Sequence, residues 1–201
     1  PVFEQYISKF PEGEWLDEAY FQGGISLFGM EDYVAASNRF SLVIERFPES
    51  GVYPNACSMR GDLAGAQGHL EEAIADYTRA IAAAKVLKNV KQATYATFQM
   101  ADVYEAWAEA EEEEALAQEK HQELVTIVQD YLDTWEAEAD IAKALFWIGK
   151  TKIQQGLIDE AVATYLNAII RFGSDVLQDG VDMMIAELVK VSSIWLGVDA
   201  Q

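Results

Sequence analysis

Few side chains in these 201 residues could carry chemistry. The two histidines, His69 and His121, stand far apart. Neither sits in an H-E-x-x-H spacing, and no second His or Cys lies at ligand distance in the sequence. His69 follows Gly68, as an exposed turn residue would. Cys57 is the single cysteine, which excludes an internal disulfide and any Cys-rich metal centre; it reads as a buried structural thiol rather than a nucleophile. Asp175, Asp179, Gly180 and Asp182 give a superficial look of calcium ligation. The alternating Asp/Asn ligands and the distal Glu of a calcium loop are missing, so a helix start with acidic capping is expected there. No Gly-rich phosphate loop and no G-x-S-x-G occurs. Carboxylate pairs are abundant from composition alone and mark no site. The expectation is a protein with no catalytic residues, no metal and no cofactor.

The charge balance says which partners to expect. Fourteen Lys and Arg stand against 34 Asp and Glu, a formal charge of −20. Binding nucleic acid needs clustered cations to neutralise phosphates, and an anionic membrane surface needs the same. No run reaches 18 apolar residues without a charge, so direct membrane insertion is not expected either. The 51% apolar share suffices for a sizeable core. Neither nucleic acid nor an anionic membrane is therefore an expected partner.

The elements that must position any functional side chains follow from an internal repeat. Phe3 to Pro11 aligns with Phe40 to Pro48, with aromatic, Ile, cation, Phe and Pro coinciding; Tyr165 to Gly173 is a third copy with Gly in the Pro place. Upstream, Gly24, Gly61 and Gly149 each precede an alanine (Ala36, Ala73, Ala161) by the same interval. Four residues after each alanine comes Phe40, Tyr77 or Tyr165, and three further on Val43, Ala80 or Ala168. These intervals place small and aromatic residues on one helical face. Gly29, Gly68 and Gly156 fall between periodic apolar runs, where tight turns belong. The four prolines stand at the start or between runs, and nothing alternates with period two. Helices are expected near 2–10, 14–29, 32–47, 53–67, 70–87, 90–110, 112–132, 135–155, 158–172 and 175–196.

This pattern resembles the tetratricopeptide repeat. One copy reads Tyr20, Gly24, Leu27, Ala36, Phe40, Val43, Pro48; a second Cys57, Gly61, Ala64, Gly68, Ala73, Tyr77, Ala80; a later one Leu145, Gly149, Gly156, Ala161, Tyr165, Ala168. The resemblance implies an all-α fold, a right-handed α-solenoid of helical hairpins. Its expected parts are a half repeat at 2–10, repeats at about 14–50, 53–88, 90–133 and 135–173, and an extra helix at 175–196. In the third copy Ala101 and Tyr104 match the first helix, while Leu124, Ile127, Val128 and Tyr131 match the second, after seven extra residues. Seven residues are about two helical turns, so an elongated hairpin is expected there. Its tip carries Glu109, Glu111, Glu112, Glu113 and Glu114. Fourteen acids against one lysine in 101–140 put −13 of the charge in that stretch. It reads as a solvated tip or as a docking surface for a basic partner. The helix end Ile44 to Ser50 also resembles tetratricopeptide proteins of the bacterial cell envelope, which implies a periplasmic or envelope location; a cytoplasmic one is the alternative.

Stacked hairpins line a concave face with the first helix of each pair. Phe21, Ile25 and Phe28 are expected there, with Asn55, Ser58 and Asp62, then Tyr95, Phe98, Asp102 and Glu105, then Lys143, Phe146 and Lys150. Phe21, Phe98 and Phe146 occupy one equivalent position, so they form either an aromatic row in a peptide groove or packing against a neighbouring helix. The expected function is a non-enzymatic interaction scaffold. Alternatives are an assembly segment of a larger envelope protein without a groove ligand, and a closed helical toroid carrying a glycoside hydrolase. The chain begins with Pro1, only a second helix matches at 2–10, and the apolar face at 175–196 has no following partner. A piece of a longer protein, or self-association through uncapped ends, is therefore expected.

Overall fold

The computed structural model describes residues 2–135, 140–172, 184–190 and 192. In chain order the helices are α1 (Val2–Lys9), α2 (Leu16–Gly29), α3 (Tyr33–Arg46), α4 (Tyr53–Ala66), α5 (Leu70–Leu87), α6 (Val90–Ala110), α7 (Glu114–Trp135), α8 (Ile141–Gln154) and α9 (Ile158–Phe172). Residues 184–190 are also helical, and no strand occurs among the described residues. The fold class is the expected α-solenoid type of antiparallel hairpins. Asp175, Asp179, Gly180 and Asp182 lie outside the described residues, as do Val181, Val191 and Trp195 of the expected last helix.

Local chemistry sets the helix ends. Asp32 accepts the Ala35 amide at 3.1 Å and starts α3; Asp140 accepts the Lys143 amide at 3.1 Å and starts α8. That cap places the α8 start at Ile141, six residues past the expected 135. Helices α6 and α7, with 21 and 22 residues, exceed the 14 residues of α2, α3, α4 and α8, as the seven-residue insertion requires. Gly68 and Gly156 turn the chain at φ of 78° and 76°. In the first hairpin that place falls on Glu31, at φ 62°, and not on Gly29, which ends α2. The expected turn role of Gly29 is thus corrected: the left-handed position lies 37 residues before Gly68, and a glutamate occupies it.

Two compact units make up the chain, Pro1–Val103 and Tyr104–Gln201. In the first, Leu16, Tyr20, Phe21, Ala36, Phe40, Val43, Ala56 and Leu63 form a core across α2, α3 and α4. In the second, Ala142, Tyr165, Ala168 and Met184 form a core joined by Phe146 and Leu188. The packing rule is the same in both. Ala36, Ala73 and Ala161 are fully buried. A Cβ added to Gly24 would stand 2.6 Å from the Phe40 ring, one on Gly61 3.0 Å from the Tyr77 ring, and one on Gly149 would overlap the Tyr165 ring. Each first helix thus gives up a side chain so that an aromatic ring from the second helix can lie flat on its backbone.

Candidate functional site

Three hairpins each point one aromatic (Phe40, Tyr77 or Tyr165) at the glycine of the first helix, and the ring substituent decides what it can reach. Phe40 has no hydroxyl and faces Gly24 in an apolar core. Tyr77 carries one, and it donates to Asp62 Oδ1 at 2.7 Å. On the other side of that carboxylate, Tyr95 of α6 donates to Oδ2 at 2.7 Å, and the Gln99 side chain adds a third hydrogen bond. Desolvation holds the Asp62 carboxyl above the usual carboxylate range, against the pull of these donors. Burial and the Asp62 hydrogen bond push the Tyr95 and Tyr77 hydroxyls well above the ordinary phenol range. The outcome is a half-buried acid clamped between α4 and α6, next to a Tyr95 ring that is 43% exposed.

The other expected face residues divide into exposed and buried. In the first unit Phe28 is 36% exposed and touches Tyr33 edge-on at 5.5 Å; Ile25 and Asn55 are half-buried and Asp102 is exposed. Phe21, Ser58 and Phe98 are corrections. Phe21 is 9% exposed and packs on Phe40 at 5.9 Å, Ser58 is buried with its hydroxyl taken by Gln92 Nε2 at 2.6 Å, and Phe98 is 1% exposed. All three stand three residues before the small residue of the first helix (Gly24, Gly61, Ala101), and their burial makes them core that presents no surface to a partner. In the second unit Lys143 is exposed, while Glu105 is buried. Glu105 Oε1 accepts from Lys150 Nζ and from Gln154 Nε2, the latter at 3.1 Å. Lys150 lies 5.2 Å from the Trp147 ring centre, and Phe146 stacks on Tyr165 at 6.4 Å. Phe146 is therefore half-buried packing, and of the two readings of Phe21, Phe98 and Phe146 the burial agrees with packing rather than an exposed row.

Around the acidic turn, Glu109, Glu112, Glu113 and Glu114 are exposed and Glu111 is half-buried. Tucked behind them, His121 is 7% exposed, and neither ring nitrogen has a hydrogen-bond partner among the described residues. Burial lowers its pKa against the opposing fields of Glu105 and Glu109. His69 is an exposed turn residue ahead of α5. Cys57 is buried, its thiol pushed up to about 11 by desolvation, which keeps it protonated and unreactive at neutral pH. Among the described residues no group of three or more His, Cys, Asp or Glu could hold a metal ion, and no helix is long and apolar enough to cross a membrane.

On the opposite side of the first unit, a cavity of about 400 Å³ opens between α3, α4 and α5. Its floor is Asp76, gripped at 2.6 Å by both Arg60 Nε and Nη2 and by Arg79 Nη1, with Arg60 reaching on to Ser41 at 3.0 Å. This lattice fastens three helices. The sequence pattern placed Asp62 and Tyr95 on the face but missed the Tyr77 clamp on Asp62, and it missed the Asp76 site, yet for the clamp a signal was there. Where the repeat aromatic is Phe40, the residue 15 places before it is Ile25; where it is Tyr77, that residue is Asp62. A hydroxyl reaching through the hairpin calls for a polar receiver.

The tetratricopeptide repeat family matches residues 54–86 and 142–169, which hold most of the α4–α5 and α8–α9 hairpins. No curated protein sequence matches the chain. Among solved structures it is similar to two crystal structures of MamA. The first is 17% identical with a TM-score of 0.61, over 83% of this chain and 82% of that one. The second is 16% identical with a TM-score of 0.62, over 87% and 84%. It is also similar to a thermophilic TPR protein in Thermus thermophilus, at 13% identity and a TM-score of 0.56, over 90% of this chain and 89% of that one. At such identities the likeness is one of fold. Glycine-on-ring hairpins, two family matches and neighbours of the same architecture support a tetratricopeptide-repeat fold for this chain.

Proposed function

We propose that this protein is a non-catalytic scaffold that holds a peptide or protein segment on the first-helix face of its first unit. That face consists of Ile25 and Phe28 on α2, Asn55 and Asp62 on α4, and Tyr95 and Asp102 on α6. The observation that carries the reading is the exposure of Phe28 and Tyr95 there, while the repeat aromatics Phe40 and Tyr77 are buried. Exposed aromatics beside fixed polar groups are what a recognition face uses for area and for register. A repeat fold supports this because its hairpins supply a rigid base for such side chains. The acidic turn at Glu109 and Glu111 to Glu114 offers a second contact for a basic partner. A cell-envelope location belongs to the same proposal and rests on the Ile44 to Ser50 helix end alone.

The face is tested by Phe28→Asp, which places a charge on it at an exposed position. The variant should keep its helical circular dichroism and melting temperature while a co-purifying partner is lost. Retention of that partner at wild-type yield would refute the assignment of the face.

A further inference from the structure

Resting on the scaffold reading, we propose that the first-helix face receives a guanidinium, the side chain of an arginine in the bound segment, at Asp62 and Tyr95. Three hydrogen bonds from neutral donors, Tyr77, Tyr95 and Gln99, fix the carboxylate without cancelling its charge. Among the described residues no Lys, Arg or His stands within ion-pair distance of Asp62. A carboxylate offers about four lone-pair sites, so one stays open for a charged donor. Beside it the Tyr95 ring is 43% exposed, and its hydroxyl is pinned to Asp62, so the ring plane is set before any ligand arrives. Asp102 lies on the same helix, seven residues or two turns further on, and is exposed.

A fixed carboxylate next to an exposed aromatic face suits arginine best. Its planar group can donate to the acid while stacking on the ring, which a lysine ammonium does less well. The repeat itself provides a contrast. The position of Asp62 in the second copy is Lys150 in the fourth, and Lys150 finds its counter-charge inside the chain, on Glu105. The second copy leaves the charge for a partner to meet. A formal charge of −20 steers a cationic segment toward the protein at a distance.

The experiment is a ¹⁵N–¹H correlation titration of the full chain with N-acetyl-arginine methylamide, with the citrulline and lysine counterparts as controls. Saturable shifts centred on Asp62, Tyr95 and Gln99 are expected with arginine, weaker ones with lysine and none with citrulline. Asp62→Asn and, separately, Tyr95→Ala should each weaken arginine binding at least fivefold; the second substitution alters an exposed ring and spares the fold. The combined Glu111→Gln, Glu112→Gln, Glu113→Gln and Glu114→Gln variant should bind within twofold of wild type. Equal shifts with citrulline, shifts centred on 109–114, or wild-type binding by both single variants would overturn the arginine site. A partner segment that still cross-links to α2, α4 and α6 in Asp62→Asn at wild-type yield would also overturn it while leaving the scaffold reading in place.

Discussion

His121 shows how burial alone can make one residue pH-sensitive. Its imidazole sits against α6, facing Glu105 and Glu109, with Lys150 and Gln154 of α8 already engaged on Glu105. Burial lowers its pKa below the ordinary 6.5. As pH falls below 6.5 the unfolded chain takes up this proton more readily than the folded one, so stability declines with acidification until the folded pKa is passed. His121→Leu removes two unpartnered nitrogens and should raise stability by about 1–3 kcal/mol at neutral pH. In thermal melts the gap over wild type should widen between pH 7 and pH 5; a gap that narrows contradicts this account of the site. At this same scale the sequence was legible where packing is periodic and illegible where chemistry crosses a hairpin. Ala36, Ala73 and Ala161 are buried, as the intervals required. Phe98 and Phe21 were misplaced because a surface aromatic and an interhairpin aromatic obey the same helical spacing. Only the depth of the neighbouring helix separates them.

At the scale of the element, helix order and nearly every boundary were legible from apolar periodicity and prolines. The start of α8 was not, because Glu and Ala at 136–139 are good helix formers by type and the Asp140 cap that starts α8 leaves no periodic signal. Turns were legible at Gly68 and Gly156 and misread at Gly29, since the left-handed residue of the first hairpin is Glu31. A glutamate there carries a Cβ penalty that glycine avoids. Glu31→Gly should therefore stabilise the chain by about 0.5–1 kcal/mol, read as a rise in urea midpoint at constant slope. A fall in midpoint would mean that the Glu31 side chain contributes more than its backbone costs. The glycine-on-ring contact makes the opposite forecast. Gly61→Val forces the α4 backbone away from Tyr77 and should destabilise by about 1–3 kcal/mol, whereas Gly29→Ala, with open space around it, should change the midpoint little. Equal effects at the two glycines would remove the basis for the repeat packing.

For the whole molecule, the repeat supports a protein-interaction role, and the charge bears on which partners suit it. Fourteen cations among 201 residues are too few to compete for phosphates, and several are consumed inside the fold, on Asp76, Glu4, Glu105 and Glu160. The fold class was readable because the helical spacing repeats, whereas the scaffold role is what the resemblance to the tetratricopeptide repeat implies. The groove list was readable only in part, because four of its thirteen residues, Phe21, Ser58, Phe98 and Glu105, are buried and a fifth, Phe146, is packing. The most direct measurement is site-specific photo-cross-linking in cells, with a benzophenone amino acid placed in turn at Phe28 and Tyr95 on the first helices and at Ala75 and Ala82 on the outward face of α5. Adducts to one common protein from Phe28 and Tyr95, and none from Ala75 and Ala82, are predicted. Adducts confined to Ala75 and Ala82 would contradict the central claim that the first-helix face holds the partner.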